Sequence, residues 1–300
     1  MIELVCPVCQ SVLAVQDDAA TCETCQLTFA RREGIWRFLL PSREREFAVF
    51  LREYQTVRLD EGWGRSDAGY YRALPRVDPD DPQRDIWRIR AHSFERLLTL
   101  VGNGRPLKIL DVGAGNGWLA HQLARRGHSV AALDLADDPR DGLGARAYYA
   151  ASFEAYQAEF DRMPFGEAQF DGVIFNAALH YACALSVTLC EACRVTRPGG
   201  SVIVMDSPFY SDPFSGAIMV AEREASFARK YGFSRRVGTI GFLTRPDLEQ
   251  SAAEASLIMD IWAEDNRWAT RLRRTWSEWR TRREPACFPV VILKQGGPNV

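Results

Sequence analysis

The feature that most restricts the fold of this 300-residue chain is a glycine-rich turn between a short apolar run and a helical segment. A second apolar run follows the helix and leads directly to an acidic residue, Asp134. The parts are the strand 107–111, the glycines Gly113, Gly115 and Gly117, the helix 118–126 and the strand 128–133. This order is that of a βαβ unit, in which the two strands are parallel. The sequence therefore predicts an α/β fold built on a parallel sheet.

The glycine turn and Asp134 together predict a cofactor that contains a ribose. Glycine lets the backbone approach a ligand closely and adopt angles that a side chain would forbid. A carboxylate at the end of the second strand is placed to accept hydrogen bonds from both ribose hydroxyls. The NAD fingerprint is GxGxxG, whereas the third glycine here comes one residue earlier, at Gly117. The spacing favours S-adenosylmethionine and leaves an NAD-dependent dehydrogenase as the alternative.

Further helices and strands are predicted after Asp134. A turn and a helix are expected first, then a strand, a second helix that ends at Arg-Pro-Gly-Gly, and two more strands. In order, these segments are residues 142–159, 169–176, 186–196, 201–205 and 288–293. This succession predicts that the sheet extends well beyond its first βαβ unit.

The motifs over residues 107–210 resemble those of class I S-adenosylmethionine-dependent methyltransferases. Besides the glycine turn, the Arg-Pro-Gly-Gly at residues 197–200 is typical of that family, as is an acidic residue five positions before Pro164. The resemblance implies a Rossmann-like α/β fold with a seven-stranded methyltransferase sheet. It also implies an enzyme that transfers a methyl group from S-adenosylmethionine to an O, N or C nucleophile of its acceptor.

The same resemblance implies which residues hold the cofactor. Glu159 would receive the adenine amino group beside the backbone of Phe160, with Asp161 as the alternative acid. Arg90 would pair with the methionine carboxylate of the cofactor. The full expected set is Arg90, Asp111, Gly113, Ala114, Gly115, Gly117, Asp134, Leu135, Glu159, Phe160, Asn176 and Ala177.

Two residues after the predicted strands are candidates for catalysis. His180 follows the strand 169–176, and Tyr210 follows the strand 201–205, so both lie near the carboxyl edge of the sheet, where ligands bind in open α/β folds. If the acceptor must lose a proton, His180 is the candidate base and Tyr210 a candidate orienting group. The competing interpretation of His180 is a histidine that shapes the pocket through a backbone hydrogen bond.

Four cysteines near the N-terminus have the spacing of a metal site. Cys6 and Cys9 form one CxxC turn, and Cys22 and Cys25 form a second one twelve residues later. Two such turns close a tetrahedral four-sulfur site that suits a structural zinc ion. A redox pair and unligated core cysteines are the alternatives. The arrangement resembles the zinc ribbons ahead of bacterial methyltransferase domains, including the large-subunit ribosomal RNA guanine-N1 methyltransferases.

These segments divide the chain into three parts. Residues 1–40 are the predicted zinc ribbon, residues 41–104 a helical linker or lid, and residues 105–300 the S-adenosylmethionine-binding methyltransferase domain. Helices are expected over residues 43–59 and 86–101. Lid contacts to the cofactor are expected from Tyr54, Arg58, Trp63, Tyr70, Arg88 and Arg90, with helix packing and solvated charge as the alternative.

The composition of the chain restricts the classes of partner that it is expected to bind. The chain has 37 Lys and Arg against 39 Asp and Glu, which gives no general attraction for nucleic acid. The start of the chain lacks the pattern of a signal peptide, and no long apolar run predicts a membrane span, so a cytoplasmic protein is expected. A small-molecule acceptor is the leading expectation. The sequence leaves the oligomeric state open.

One basic segment keeps RNA open as the alternative acceptor. Residues 267–283 contain seven Arg together with Trp268, Trp276 and Trp279, a composition that suits contact with RNA backbone and bases. The segment could equally form a solvated amphipathic helix. With the predicted ribbon, it supports a ribosomal RNA methyltransferase of the guanine-N1 type as the second hypothesis. A cofactor-binding protein without turnover is a further alternative.

Overall fold

The computed structural model describes residues 2–101, 104–233, 238–263 and 283–296. The strands are β1 (Ala14–Gln16), β2 (Ala19–Cys22), β3 (Leu27–Arg32), β4 (Ile35–Arg37), β5 (Lys108–Val112), β6 (Ser129–Asp134), β7 (Glu154–Gln157), β8 (Phe170–Asn176), β9 (Thr196–Met205), β10 (Leu257–Ala263) and β11 (Val290–Gln295). The helices are α1 (Pro41–Asp60), α2 (Ala68–Ala73), α3 (Arg84–Val101), α4 (Trp118–Ala124), α5 (Leu185–Val195), α6 (Pro213–Tyr231) and α7 (Arg245–Glu254). Apart from Arg283, the basic segment 267–283 lies outside the described residues.

The central sheet confirms the predicted seven-stranded methyltransferase fold. Its order is β7-β6-β5-β8-β9-β11-β10. The first five strands are parallel, and β11 is antiparallel to both β9 and β10. The strand order reverses between β5 and β8, which is the point where open α/β sheets bind ligands. The predicted strand 288–293 corresponds to β11, which lies inside the sheet while β10 forms its edge.

Alternate residues of the parallel strands pack into two separate cores. Leu110 and Val173 face one side of the sheet, whereas Ile109 and Ile174 face the other. Burial on both faces explains why these strands are continuous apolar runs rather than alternating ones. Helices α5 and α7 cover the first side, and α3 and α4 cover the second. The result is a three-layer α/β domain.

Residues 142–159 were predicted to form a turn and a helix, and the prediction of a helix is wrong. A short 3-10 turn, Leu143–Tyr148, occupies its first part, and strand β7 occupies its end. Ala155 and Tyr156 pair in parallel with β6 on one side and with β4 on the other. Two neighbouring strands satisfy the backbone of β7 on both edges, so tertiary pairing overrides the local helical pattern.

The N-terminal module continues the central sheet. Strands β1 to β3 form antiparallel pairs, β3 pairs with β4, and β4 pairs in parallel with β7, so the described strands make one sheet of eleven. Trp36 and Phe38 pack in the same core as Tyr156 and Phe165. The module is therefore attached to the methyltransferase sheet through both backbone pairing and side-chain packing.

Helix α1 leads from this module across the carboxyl edge of the sheet. It starts with Pro41 in its first turn, where the fixed φ of proline suits a helix start, and is followed by Gly62 at positive φ. Phe47 and Val57 are its only buried residues. A helix that buries so little against the body of the domain is well placed to form the wall of a cavity. No described helix has the length and apolar character to cross a membrane.

Candidate cofactor and acceptor site

A large cavity lies between α1 and the carboxyl ends of the central strands. Its empty volume is about 1250 Å³, including the space at its open mouth. The glycine turn after β5 forms its floor, and the loops after β6, β7 and β8 form its sides. Ten of the twelve residues expected to hold the cofactor line it: Arg90, Gly113, Ala114, Gly115, Asp134, Leu135, Glu159, Phe160, Asn176 and Ala177.

The glycine turn has the tight geometry that its sequence predicts. Gly113 has φ +70°, and a Cβ there would lie 2.4 Å from the Cβ of Ala178. Gly117 has φ +78°, and a Cβ there would lie 2.5 Å from the ring of Phe153. Gly113 therefore keeps the cavity floor close to the loop after β8. Gly117 instead allows helix α4 to start against Phe153 and does not line the cavity.

Asp134 occupies the predicted position at the end of β6. Its Oδ2 accepts a hydrogen bond from the Gly115 amide at 2.7 Å, and its Oδ1 accepts one from the Ala136 amide at 2.8 Å. Burial raises the pKa of this carboxyl to about 6, although the backbone donors oppose the shift. The two amides fix the orientation of the carboxylate while each oxygen keeps capacity for a further hydrogen bond.

Asp111 lies behind the glycine turn and does not line the cavity. Its side chain is 1% exposed, and neither carboxylate oxygen receives a hydrogen bond within the described part of the chain. Burial, together with the charge of Asp134, raises the pKa of Asp111 to about 7. This residue is thus placed to influence the turn and Asp134 rather than to touch a ligand.

The part of the cavity that is predicted to bind adenine contains an ion pair that the sequence does not reveal. Arg43, in the first turn of α1, donates from Nε to Glu159 Oε1 at 2.9 Å and to Oε2 at 3.1 Å. The Arg43 guanidinium also lies 4.6 Å from the centre of the Phe47 ring. Phe160 and Asp161 line the cavity beside Glu159. This contact pins the first turn of α1 to the loop after β7.

A second ion pair holds the other end of α1. Arg58 and Asp141 pair through two hydrogen bonds, one of them from Nη2 to Oδ1 at 3.1 Å, and both residues line the cavity. Arg58 lies 3.9 Å from the Trp63 ring centre, and Arg90 lies 5.1 Å from the same ring. The Trp63 ring therefore lies against the guanidinium groups of two arginines that line the cavity.

Arg90 differs from the other two arginines of the cavity. Within the described ranges it forms no ion pair, and its buried Nε has no hydrogen-bond partner. Burial lowers its pKa, and the neighbouring charge of Arg58 lowers it further. A guanidinium that lines the cavity and has no ion-pair partner among the described residues is a suitable partner for an anionic group of a ligand.

The remaining predicted lid residues do not line the cavity. Tyr70 packs edge-on against Tyr71, which is fully buried and stacks on Tyr148 at 4.6 Å. Arg88 is exposed and pairs with Asp85 on the same helix. For these residues the structure shows packing and surface charge, whereas Tyr54, Arg58 and Arg90 line the cavity.

The wall formed by α1 and the loop after β8 is apolar and aromatic. Tyr54 and Tyr181 meet edge to face at 6.4 Å, and burial raises the pKa of Tyr54. The Oδ1 of Asn176 is buried and has no hydrogen-bond partner among the described residues. The other members of this wall are Phe47, Phe50, Leu51, Ala177, Ala178, Ala182 and Cys183, and Thr239 from the segment between α6 and α7 also lines the cavity.

Neither candidate catalytic side chain lines this cavity. His180 is 7% exposed, and its Nδ1 lies 3.3 Å from Ser207 Oγ. Tyr210 is 3% exposed and accepts a hydrogen bond from Arg283 Nη1 at 3.4 Å. The neighbouring Tyr181 takes the place in the cavity wall that was expected for His180. The catalytic roles of both residues stay predictions.

The four N-terminal cysteines meet at one point. One sulfur from each of Cys6, Cys9, Cys22 and Cys25 lies within 4.8 Å of the other three. Four clustered thiol sulfurs without an oxygen ligand are the donor set of a closed, structural zinc site. The residues present therefore fit the metal that their spacing predicts.

Comparison with known proteins agrees with this architecture. A family model described as "Methyltransferase domain" matches residues 110–204. The malonyl-[acyl-carrier protein] O-methyltransferase of Erwinia pyrifoliae is 31% identical over 169 residues, which cover 55% of this chain and 58% of that protein. The enzyme of the same name from Erwinia billingiae is 34% identical over 110 residues, or 36% and 42% of the two chains. The matched segments thus span about half the length of these relatives.

Solved structures share the fold at low sequence identity. A putative sarcosine dimethylglycine methyltransferase from Galdieria sulphuraria superposes with a TM-score of 0.55 at 15% identity, over 82% of this chain and 98% of that one. Magnesium protoporphyrin IX methyltransferase from Synechocystis, solved with bound S-adenosylhomocysteine, gives 0.53 at 13% identity, over 83% and 99%. Residues 110–204 thus match the methyltransferase-domain family model, and the chain shares the fold of these solved methyltransferase structures, as its motifs predict.

Proposed function

We propose that this chain is an S-adenosylmethionine-dependent methyltransferase that modifies a small molecule. The observation that carries the proposal is the cavity, which gathers Asp134, Glu159 and Arg90 around the glycine turn. The bound cofactor supplies a methyl group that is already activated on a sulfonium, so the protein has chiefly to bind and align.

The cavity residues fit the three polar parts of this cofactor. The carboxylate of Asp134 is held by two amides in an orientation suited to ribose hydroxyls. Glu159, with Asp161 beside it, offers acceptor oxygens for an adenine amino group. Arg90 offers donors for a carboxylate, and its buried Nε without a partner agrees with this role.

The aromatic wall suits the acceptor. Phe50 and Tyr54 of α1 and Tyr181 of the loop after β8 line one part of the cavity, and their rings offer an apolar surface to an acceptor molecule. Among the described lining residues none is a histidine. An acceptor oxygen that is already ionised, such as a carboxylate, needs no base. We therefore propose an oxygen nucleophile, in keeping with the O-methyltransferase names of the relatives.

We further propose that Cys6, Cys9, Cys22 and Cys25 hold a structural zinc ion. The four sulfurs form a closed set that leaves no position open for a substrate. The site lies in the N-terminal module, and none of the four cysteines lines the cavity. The metal would stabilise the module and take no direct part in methyl transfer.

Methyl transfer can be tested with a cofactor labelled in its methyl group. The protein is incubated with labelled S-adenosylmethionine and, separately, with a small-molecule extract, total RNA and total protein. The proposal expects label in the small-molecule fraction, and a D134A variant should lose it because the ribose contact is gone. A control E44Q, which removes an exposed carboxylate of α1 outside the cavity, should keep it. Label that enters only RNA or protein would overturn the small-molecule proposal.

A further inference from the structure

The last strand of the N-terminal module lies directly beside the strands that end at the cofactor loops. Strand β4 pairs in parallel with β7, and β7 pairs in parallel with β6. In this register Arg37 faces Gln157, and Gln157 faces Asp134. The three residues therefore stand in one row across three strands, at the carboxyl edge where the cavity begins. None of Arg37, Gln157 and Asp137 lines the cavity itself.

Hydrogen bonds connect this row to the cavity wall. Arg37 Nη1 donates to Gln157 Oε1 at 3.3 Å, and Gln157 Nε2 donates to the carbonyl oxygen of Leu135 at 3.0 Å. Leu135 lines the cavity next to Asp134. The guanidinium of Arg37 also pairs with Asp137, two residues further along the same loop. Arg37 thus holds the loop after β6 through Gln157 and through Asp137.

Arg37 and the Leu135 carbonyl together fix the orientation of the Gln157 amide. The guanidinium has only donors, so it requires the oxygen of the amide on its side. The nitrogen is then directed at Leu135, where it satisfies a backbone carbonyl. Gln157 is 7% exposed, so water offers little compensation if the amide turns over. Without Arg37, the amide is held by its bond to Leu135 alone, and Asp137 loses its partner.

We propose that Arg37 is a positioning residue of the cofactor site, so that the N-terminal module forms part of that site. Arg37 fixes the Gln157 amide, the amide fixes Leu135, and Asp137 anchors the far side of the loop that carries Asp134. A cofactor that binds the Asp134 carboxylate then meets a loop already in its bound position, which lowers the cost of ordering on binding. This inference rests on the proposed cofactor.

The test measures S-adenosylhomocysteine affinity by calorimetry in the full-length protein. Arg37→Met should weaken binding about tenfold, because a charge-assisted contact to the supporting amide is lost. Arg37→Lys, which keeps the cation for Asp137, should recover part of the affinity. Arg32→Met is the matched control, since Arg32 is an exposed arginine of the same module, and it should bind as the unmodified protein does.

A double-mutant cycle separates positioning from a general loss of structure. Because part of the effect of Arg37 passes through Gln157, Arg37→Met and Gln157→Leu together should weaken binding by less than the sum of the two single changes. Melting temperature and bound zinc should stay near those of the unmodified protein. Unchanged affinity in Arg37→Met, or fully additive losses in the double variant, would overturn the inference. If the unmodified protein fails to bind S-adenosylhomocysteine, the proposed function itself fails instead.

Discussion

Asp134 combines burial with two backbone donors, and this gives the cofactor site a defined dependence on pH. Burial raises the pKa of the carboxyl to about 6, so the carboxylate form dominates above that pH and the protonated form below it. The ribose hydroxyls require an acceptor, which only the carboxylate fully provides. Ligand affinity should therefore be constant near pH 7.5 and fall as the pH decreases through about 6.

Calorimetry with S-adenosylhomocysteine between pH 5 and pH 8 measures this profile. Asp134→Asn keeps the size of the side chain and removes its titration, so the fall in affinity centred near pH 6 should be absent from this variant. An unmodified protein whose affinity is flat from pH 8 to pH 5 would show that Asp134 does not bind the ligand in its ionised form.

A second prediction concerns Arg90 and the recognition of one part of the ligand, its carboxylate. Its guanidinium lines the cavity without an ion pair among the described residues, so a ligand carboxylate is its expected partner. Arg90→Met should weaken binding of S-adenosylhomocysteine by roughly 1.5–3 kcal/mol, the range for hydrogen bonds to charged groups. Adenosine, which has no carboxylate, should bind the variant and the unmodified protein equally.

Arg88→Met is the matched control for this change. Arg88 lies two residues earlier on α3, is exposed and pairs with Asp85. Its removal should leave both affinities unchanged. If Arg90→Met weakens adenosine and S-adenosylhomocysteine to the same extent, Arg90 supports the cavity in general and does not recognise the carboxylate.

At the level of single elements, α1 forms its part of the cavity wall with little apolar packing. It buries only Phe47 and Val57, and the pairs Arg43–Glu159 and Arg58–Asp141 fasten its two ends to the loops of the cavity. Amide hydrogen exchange over residues 41–60 should therefore be fast in the free protein and slower with S-adenosylhomocysteine. Arg58→Met should reduce that protection, because the more buried of the two pairs is lost.

Arg52→Met provides the comparison for the exchange experiment. Arg52 is on the same helix but is exposed and does not line the cavity. Exchange in this variant should match that of the unmodified protein with and without ligand. Equal protection of α1 in all three proteins would mean that the ion pair does not hold the wall.

The sequence anticipated those elements whose structure is set by local pattern. The glycine turn and the acid that ends β6 follow from backbone geometry, and Gly113 and Asp134 adopt the expected arrangement. Strand β7 was missed because its stability comes from pairing with β4 and β6, which no local pattern records. The Arg43–Glu159 pair joins residues 116 positions apart, so spacing could not reveal it. A position near the carboxyl edge of the sheet did not identify which side chain lines the cavity, since Tyr181 lines it and the neighbouring His180 does not.

At the scale of the whole molecule, the N-terminal module and the methyltransferase sheet share one core. Cys22 is fully buried in that core together with Phe29, Trp36 and Tyr156. Cys22→Ser should therefore abolish zinc binding and lower the melting temperature of the entire protein by several degrees in a single transition. Metal analysis and scanning calorimetry measure the two effects.

Cys190→Ser controls for the loss of a thiol. Cys190 is exposed on α5 and is not part of the cysteine cluster. This variant should keep both the metal and the melting temperature of the unmodified protein. A Cys22→Ser protein with an early separate transition and an unchanged main one would show that the module melts independently of the sheet.

A direct comparison of ligands tests whether the cavity under α1 binds S-adenosylmethionine. Calorimetry of the unmodified protein with S-adenosylhomocysteine and with NADH distinguishes the two cofactors that the βαβ unit could accept. We expect one S-adenosylhomocysteine per chain, bound far more tightly than NADH. Preferential binding of NADH, or binding of neither ligand, would contradict it.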